Sequence, residues 1–185
     1  MFKTKQPKQR SSDIERISIP KNDISKFKEV FVYILNKVRG KQNAGQTVLY
    51  KLLYFIDFDY YELYEEQLMG LKYIKNKFGP TPVDFKKLIK EMKESGDCEE
   101  KKVKYYYDQT KYLPKREADL CVLSNREIIH INKTLKKYSD KSVTELSEIF
   151  HKDVPWIVTG DKEIINYETV FYRTKETSVR NYEDE

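Results

Sequence analysis

The stretch that decides the fold is residues 48–85, which read VLYKLLYFIDFDYYELYEEQLMGLKYIKNKFGPTPVDF. Apolar residues recur in its first part at the spacing of one helix face, and Val48, Phe55 and Phe58 extend that face nearly all round. A helix that is apolar on most sides is buried at the centre of a domain, because it has no face left for water. We therefore predict a central helix that begins near Thr47.

A turn signal follows this helix. The segment Gly70–Lys77 has the character of a short strand, and Gly79-Pro80 comes soon after it. Gly tolerates positive φ and Pro restricts φ, so the pair predicts a strand-to-helix corner. Thr81 and Pro82 then have the residue types of an N-cap and of a first helical position, so we predict a helix over 82–94.

The rest of the chain adds further helices and one hairpin. A helix is predicted over Asp23–Arg39, and capping boxes start at Ser124 and Ser142. The alternation Val103–Tyr107 predicts a strand, with a short return at Lys111–Leu113. The fold class that we expect is α+β, a predominantly α-helical single domain with a small antiparallel β-sheet.

Length and composition divide the chain into one domain with two tails. At 185 residues, two full domains would be unusual, and 39% hydrophobic residues are enough for a core. Residues 1–20 are polar and basic and are expected to form a flexible N-terminal arm. The domain is expected over 21–175, and 176–185 form an acidic C-terminal tail.

The compartment is expected to be the cytoplasm. The basic N-terminus lacks the apolar segment of a signal peptide, and no stretch approaches the ~18 apolar residues of a membrane span. The two cysteines, Cys98 and Cys121, lie too far apart to suggest a disulfide framework, which fits a reducing environment. No membrane partner is expected.

The sequence offers no support for an enzyme, a cofactor or a metal. The cysteines and the two histidines, His130 and His151, have none of the close local pairs of a zinc site. Phosphate-binding glycine loops and a nucleophile elbow are also missing. A thiol nucleophile formed by Cys121 with one of the histidines stays open, because spacing alone does not decide it.

The charge raises a second alternative, a nucleic-acid-binding regulator. The net charge is +5, and the N-terminal arm and the many Lys and Tyr side chains are the surface that would be used. However, only 7 of the 35 basic residues are Arg, the residue type that most often contacts base edges and phosphates. Nucleic acid is therefore not the expected main partner.

Three segments in order resemble the Panacea-domain (GepA/SocA-like) antitoxins, a family associated with phages and mobile elements. Residues 48–85 are similar to its helix, strand and Gly-Pro signature. Residues 141–159, KSVTELSEIFHKDVPWIVT, resemble its His and Pro-Trp segment, and residues 163–168, EIINYE, its closing motif. The resemblance covers about residues 25–172, which is most of the chain.

The resemblance implies an antitoxin that neutralises a cognate toxin by direct protein–protein binding. The toxin is expected to come from an adjacent gene. Neutralisation would block the toxin's active site or deliver the toxin to a protease or its unfoldase. A chain rich in Tyr fits this role, because Tyr is favoured at interfaces.

Two surfaces are candidates for partner binding. The first is the acidic-aromatic run 57–66, which would imitate nucleotide or RNA at a basic toxin active site; the alternative is a helix with one solvated face. Its candidate residues are Asp59, Tyr61, Glu62, Tyr64 and Glu65. The second is the corner, where Lys77, Phe78 and Thr81 would be held rigidly for a partner.

A further group is expected to support the structure. Lys51 lies in an apolar helix and should extend to solvent or pair with Asp57 or another acid. Trp156 is more often a buried anchor than a contact for a partner. The full set assigned to structural motifs is Lys51, Asp57, Gly79, Pro80, Pro82, His151 and Trp156.

Overall fold

The computed structural model describes residues 18–104 and 107–181. Its α-helices are α1 (Ile24–Val38), α2 (Gln46–Tyr64), α3 (Phe85–Glu94), α4 (Asn125–Tyr138), α5 (Val143–His151) and α6 (Val154–Val158). Its strands are β1 (Tyr73–Asn76), β2 (Gly79–Pro82), β3 (Cys98–Lys104) and β4 (Asp108–Pro114), and two 3₁₀ helices cover Leu120–Val122 and Tyr167–Tyr172. The prediction of a mainly helical α+β single domain is confirmed.

Helix α2 is the centre of the domain, as predicted. It packs against β2, β4, α4, α5 and the second 3₁₀ helix. Every residue from 51 to 62 is buried, so burial covers all sides of the helix, and Val48, Phe55 and Phe58 are buried with them. Each such side chain contributes roughly 1.5–3 kcal/mol when it leaves water, so the other elements are held together mainly through α2.

The predicted helix ends are confirmed where capping chemistry is clear. Asp23 caps α1 by accepting a hydrogen bond from the Lys26 amide, and Gly40 follows the helix with φ of 85°. Ser124 and Ser142 both form complete capping boxes at the starts of α4 and α5. These ends depend on contacts within four residues, which sequence can reveal.

The segment after β1 differs from the prediction. Strand β2 pairs antiparallel with β1, and the pair Asn76↔Gly79 leaves Lys77 and Phe78 as a two-residue turn. Gly79-Pro80 therefore begins the second strand of a hairpin rather than a strand-to-helix corner. The N-cap prediction for Thr81 is wrong, because its Oγ1 donates to the Gly79 carbonyl oxygen at 3.2 Å.

Helix α3 consequently begins at Phe85 rather than at residue 82, although it ends at Glu94 as predicted. The cause is long-range pairing. Pro82 lies opposite Tyr73 in the hairpin, and the Val83 amide donates to the Lys72 carbonyl oxygen at 2.8 Å. The strand thus continues through Pro82, and Val83 and Asp84 form a turn before the helix begins.

The predicted small sheet is two separate hairpins in the described residues, β1–β2 and β3–β4. The free edge of β1 is covered by a later segment, since the Lys75 amide donates to the Glu163 carbonyl and the Ile165 amide to the Tyr73 carbonyl. The predicted return over 111–113 falls within β4. The predicted strand over 103–107 shares residues 103 and 104 with β3. Its residues 105 and 106 lie outside the described residues.

The two ends of the described chain are both attached to the domain. Gln67 donates from its side-chain amide to Ser18 Oγ and to the Ile19 carbonyl oxygen, at 2.7 and 2.8 Å. Near the other end, the Val179 amide donates to Glu62 Oε2 at 3.2 Å. The rest of the predicted arm 1–20 and tail 176–185 lies outside the described residues, and the predicted boundaries stay predictions.

Candidate functional site

The turn between β1 and β2 presents an exposed aromatic side chain. Phe78 is 74% exposed, and the ammonium of Lys77 lies 5.5 Å from the centroid of its ring. The backbone beneath it has little freedom, because Gly79 has φ of 124° and Pro80 and Pro82 restrict β2. A large apolar side chain is thus held on a stiff support.

Beside this turn lies an open groove of about 480 Å³, which we call the corner groove. It is bounded by the start of α2, the β1–β2 turn, Tyr107 and one face of α5. The residues that line it are Thr47, Lys77, Phe78, Tyr107, Val143, Thr144, Ser147, Phe150 and His151.

Helix α5 contributes its wall through ordinary helical geometry. Leu146 and Phe150 are buried against the domain, which fixes the rotation of the helix. Thr144, Ser147 and His151 follow one another at spacings of three and four residues, so they share a single face. That face borders the corner groove, and the capping box at Ser142 supports the first turn of the helix.

Lys51 lies beneath the corner groove and is only 1% exposed. Its Nζ donates to the Phe78 carbonyl oxygen at 3.1 Å and lies 5.1 Å from the centroid of the Phe150 ring. A Cβ at Gly79 would come within 3.4 Å of this nitrogen, so the glycine allows the close approach. Burial lowers the pKa of Lys51 to about 8.

The expectation that Lys51 extends to solvent or pairs with Asp57 is wrong. Asp57 is fully buried and accepts hydrogen bonds from the Met69 amide at 2.8 Å and from the Tyr73 hydroxyl at 2.9 Å. It also accepts from the amide of Gly70 at 3.0 Å. Its carboxylate therefore holds the loop after α2, and burial raises its pKa despite these bonds.

Asp59 and Glu62 do not form a surface, which corrects the expectation that their carboxylates face a partner. Arg173 Nη1 donates to both, at 2.8 and 2.7 Å, and its Nε and Nη2 bind Asp153 at 2.7 and 2.8 Å. Tyr54 donates to the same Asp153 at 2.7 Å. We call these five residues the Arg173 cluster.

Burial dominates the electrostatics of the Arg173 cluster. The Arg173 side chain is 1% exposed, and the three carboxylates are also buried. Burial raises the pKa of Asp59 to about 6, although the neighbouring Arg173 acts in the opposite direction. Burial favours loss of the Arg173 proton, but Asp59 and Asp153 outweigh it, so its pKa lies well above the usual value.

The other residues of the acidic-aromatic run are divided between interior and surface. Tyr61 is buried and donates to Glu168 Oε1 at 2.6 Å. Tyr64 is exposed at the end of α2, with the Arg126 guanidinium carbon 4.6 Å from its ring centroid. Glu65 is exposed there too and pairs with an arginine of the C-terminal segment at 3.2 Å. The run therefore does not form one face, and its exposed part is far along α2 from the corner groove.

Trp156 is buried. Its ring packs edge-on against Phe150, with 4.6 Å between centroids, and the Lys75 ammonium lies 4.9 Å from its centroid. His151 is exposed, with its ring centroid 5.7 Å from that of Trp156. Trp156 thus supports the base of α5, while His151 borders the corner groove.

Neither cysteine has the environment of an activated nucleophile. Burial raises the pKa of Cys98 to about 11, and a hydrogen bond with Asp119 raises that of Cys121. A reactive thiol instead needs a lowered pKa.

His130 is buried and its Nε2 donates to the Ile56 carbonyl oxygen at 2.9 Å. Across residues 18–104 and 107–181, no three His, Cys, Asp or Glu side chains gather as metal ligands.

Sequence reasoning missed two kinds of residue. Arg173 and Asp153 join the acidic residues of α2 only through the tertiary fold, and no local pattern marks them. Thr144 and Ser147 are different, because their helical spacing to His151 after a capping box is visible in the sequence and could have indicated a shared face.

Comparison with known proteins identifies one family. A family model described as "Antitoxin SocA-like, Panacea domain" matches residues 49–157, more than half of the chain. Comparison with curated proteins and with solved structures gave no match. None of the helices in the described residues has the length and apolar character needed to cross a membrane.

Proposed function

The chain belongs to the SocA-like antitoxin family with a Panacea domain, and we propose that it neutralises a cognate toxin by binding it directly. The matched segment contains most of α2, the β1–β2 hairpin, α3, β3, β4, α4, α5 and most of α6. It includes every lining residue of the corner groove except Thr47.

The observation that carries this proposal is the exposed Phe78 beside the corner groove. Aromatic side chains that are fixed before binding contribute strongly to interfaces, because little conformational entropy is lost when the partner covers them. Phe78 has such a support, formed by Gly79 and Pro80 above the buried Lys51. We assign Lys77, Phe78 and Thr81 to the principal contact surface.

A second contact surface is proposed at the other end of α2. Tyr64 and Glu65 are exposed there, beside Arg126 and Arg180. A toxin that contacts both ends of α2 would bury more area than one that occupies the corner groove alone, and stable interfaces need roughly 800 Å² from each partner.

We further propose where and how the toxin is neutralised. The toxin is encoded by an adjacent gene, in a phage-associated or other mobile element, and the two proteins meet in the cytoplasm. The chain acts as a binding protein without catalysis. Neutralisation occurs either by covering the toxin's active site or by delivering the toxin to a protease and its unfoldase.

Growth rescue tests this proposal. The adjacent gene is induced alone and then together with this chain, while immunoblots follow the amounts of both proteins. The expected result is growth arrest by the neighbour alone and normal growth with both. If arrest persists although this chain is soluble and abundant, the proposal is wrong.

The same immunoblots separate the two routes. If the toxin's active site is covered, the toxin persists at an unchanged level while growth recovers. If the toxin is delivered to a protease, its level falls, and deletion of the protease restores both the toxin and the arrest.

A further inference from the structure

The corner groove carries positive charge without acidic residues in its lining. Lys77 is one of its lining residues, and the buried Lys51 contacts two others, Phe78 and Phe150. The hydroxyl groups of Thr47 and Thr144 add hydrogen-bond donors, whereas the hydroxyl of Ser147 already donates to the Val143 carbonyl oxygen at 2.7 Å. Among the described lining residues there is no Asp or Glu, although the whole chain contains 30 of them.

Lys51 is the most unusual group of this region. An ammonium has three N–H donors, and this one has a single hydrogen-bond acceptor among the described residues, the Phe78 carbonyl oxygen at 3.1 Å. No described carboxylate lies within 4.0 Å of it. Buried charges in proteins are normally paired, because an unpaired charge loses hydration without compensation. Lys51 therefore has the environment of a cation whose partner arrives with a ligand.

Two residues that contact this ammonium also line the groove. Phe78 supplies the backbone carbonyl to which Lys51 donates, and Phe150 supplies the ring beside it. Because Lys51 is 1% exposed and does not itself line the groove, a group reaches its ammonium only after the residues that cover it, Phe78 and Phe150 among them, move apart, and that group meets apolar rings first. This order fits a short acidic side chain whose neighbour in sequence is apolar.

We propose that the corner groove receives an acidic segment of the toxin, with one carboxylate on Lys51 and an apolar side chain against Phe78 and Phe150. A second carboxylate of the segment pairs with Lys77 at the rim. The proposal rests on the proposed function and adds to it the chemistry of the partner. It favours a peptide over nucleic acid, because a phosphate backbone is bound by rows of surface cations rather than by one buried ammonium between apolar walls.

The groove is tested first without the toxin. The full chain, labelled with ¹⁵N, is titrated with an amidated peptide of alternating glutamate and leucine, with its glutamine counterpart as the control. The expected result is that amide signals over 77–79 and 143–151 move with the glutamate peptide only. Equal movement with both peptides, or movement elsewhere in the chain, would overturn the proposal.

Two other occupants are outcomes of the same titration. If a single-stranded oligonucleotide moves these signals and the glutamate peptide does not, the groove binds nucleic acid and the proposal is overturned. If the same signals move with protein concentration alone, the groove receives a second copy of the chain, which also overturns it.

The second test uses the product of the adjacent gene and calorimetry. Phe78→Ala is expected to raise the dissociation constant about 30-fold or more, as at a central aromatic contact. The matched control is Tyr172→Ala, which truncates another aromatic side chain of similar exposure, 76% against 74%. The control is expected to stay within about twofold of the wild type.

Lys51→Met tests the buried charge at nearly constant volume. It is expected to weaken binding about tenfold while the melting temperature stays at or above that of the wild type, because a buried charge is replaced by an apolar group. Lys77→Glu is expected to weaken binding similarly, and Lys133→Glu, an exposed change on α4, is its control.

These outcomes separate the two proposals. If the wild type binds and rescues growth but the groove variants behave like their controls, the acidic-segment inference is wrong and the antitoxin function stands. If the wild type neither binds nor rescues, the antitoxin function is wrong, and the peptide titration still decides what the groove accepts.

Discussion

At the scale of single residues, Arg173 is the side chain on which the interior depends most. It joins Asp59 and Glu62 of α2 to Asp153, which precedes α6. Removing one partner of a buried ion pair leaves uncompensated charge, here three carboxylates. We predict that Arg173→Met lowers the free energy of unfolding by about 3–5 kcal/mol, measured by urea denaturation followed by circular dichroism.

The control for this prediction is Arg180→Met, which removes the half-exposed partner of Glu65. Partly exposed ion pairs contribute about 0–1 kcal/mol to stability, so Arg180→Met should lower the free energy of unfolding by no more than that. Equal losses in the two variants would show that the Arg173 cluster does not hold the fold.

His130 gives the stability a dependence on pH. Its pKa is lowered to about 4, because burial disfavours the charged ring, although the bond to the Ile56 carbonyl acts in the opposite direction. In the unfolded chain the His pKa is near 6.5. Between about pH 4 and pH 6.5, His130 is therefore mostly protonated in the unfolded chain and mostly neutral in the folded chain. Stability from this residue is therefore complete above about pH 6.5 and decreases as the pH falls towards 4.

The corresponding variant is His130→Gln, which keeps an N–H donor but does not titrate. We predict that the wild type loses about 1–2 kcal/mol more stability than the variant between pH 7 and pH 5. Asp59, with its pKa raised to about 6, acts with the opposite sign: its contribution is present at low pH and is lost as the pH rises through 6. Since both proteins contain Asp59, the difference between their urea curves isolates His130; parallel pH profiles would contradict the prediction.

The residue scale also shows what sequence can predict. The burial of Trp156 and the capping roles of Ser124 and Ser142 follow from side-chain chemistry near each residue, and the structure agrees. The pairing of Arg173 with Asp59 joins residues 114 positions apart. Nothing in the acidic run itself distinguishes a carboxylate that faces solvent from one that binds a distant guanidinium.

At the scale of elements, the β1–β2 hairpin determines the shape of the corner groove. Gly79 combines a φ of 124° with close contacts, since an added Cβ would lie 3.3 Å from Phe150 Cζ and 3.4 Å from Lys51 Nζ. We predict that Gly79→Ala lowers the free energy of unfolding by about 2–3 kcal/mol, from backbone strain and contact together. Urea denaturation measures this loss.

Gly40→Ala is the matched control, because Gly40 has φ of 85° but no atom within 4 Å of an added Cβ. It should lose about 1 kcal/mol from the left-handed backbone alone. If Gly79→Ala lowers the free energy of unfolding no more than Gly40→Ala does, the close packing of the hairpin over Lys51 does not restrict the residue at position 79.

The hairpin also explains where the prediction of elements failed. Thr81 and Pro82 have the residue types of a helix start, and local signals alone place the helix there. Pairing with β1 keeps them extended instead, and helix α3 starts at Phe85. Local propensity is a weak guide where a partner strand is near, because backbone hydrogen bonds of the hairpin outweigh a single cap.

At the scale of the whole molecule, α2 connects the two candidate surfaces. The corner groove lies near its first half, and Tyr64 and Glu65 lie at its end, with the Arg173 cluster between them in the interior. The central position of α2 was predictable from its apolar residues on every side. The corner groove was not, because it is formed by four segments that are far apart in the chain.

The central claim is that the chain neutralises a toxin through direct binding, and calorimetric titration of the purified chain with the purified product of the adjacent gene tests it most directly. We predict saturable binding with a dissociation constant of about 1 µM or tighter. Growth rescue without any measurable binding between the two pure proteins would contradict it.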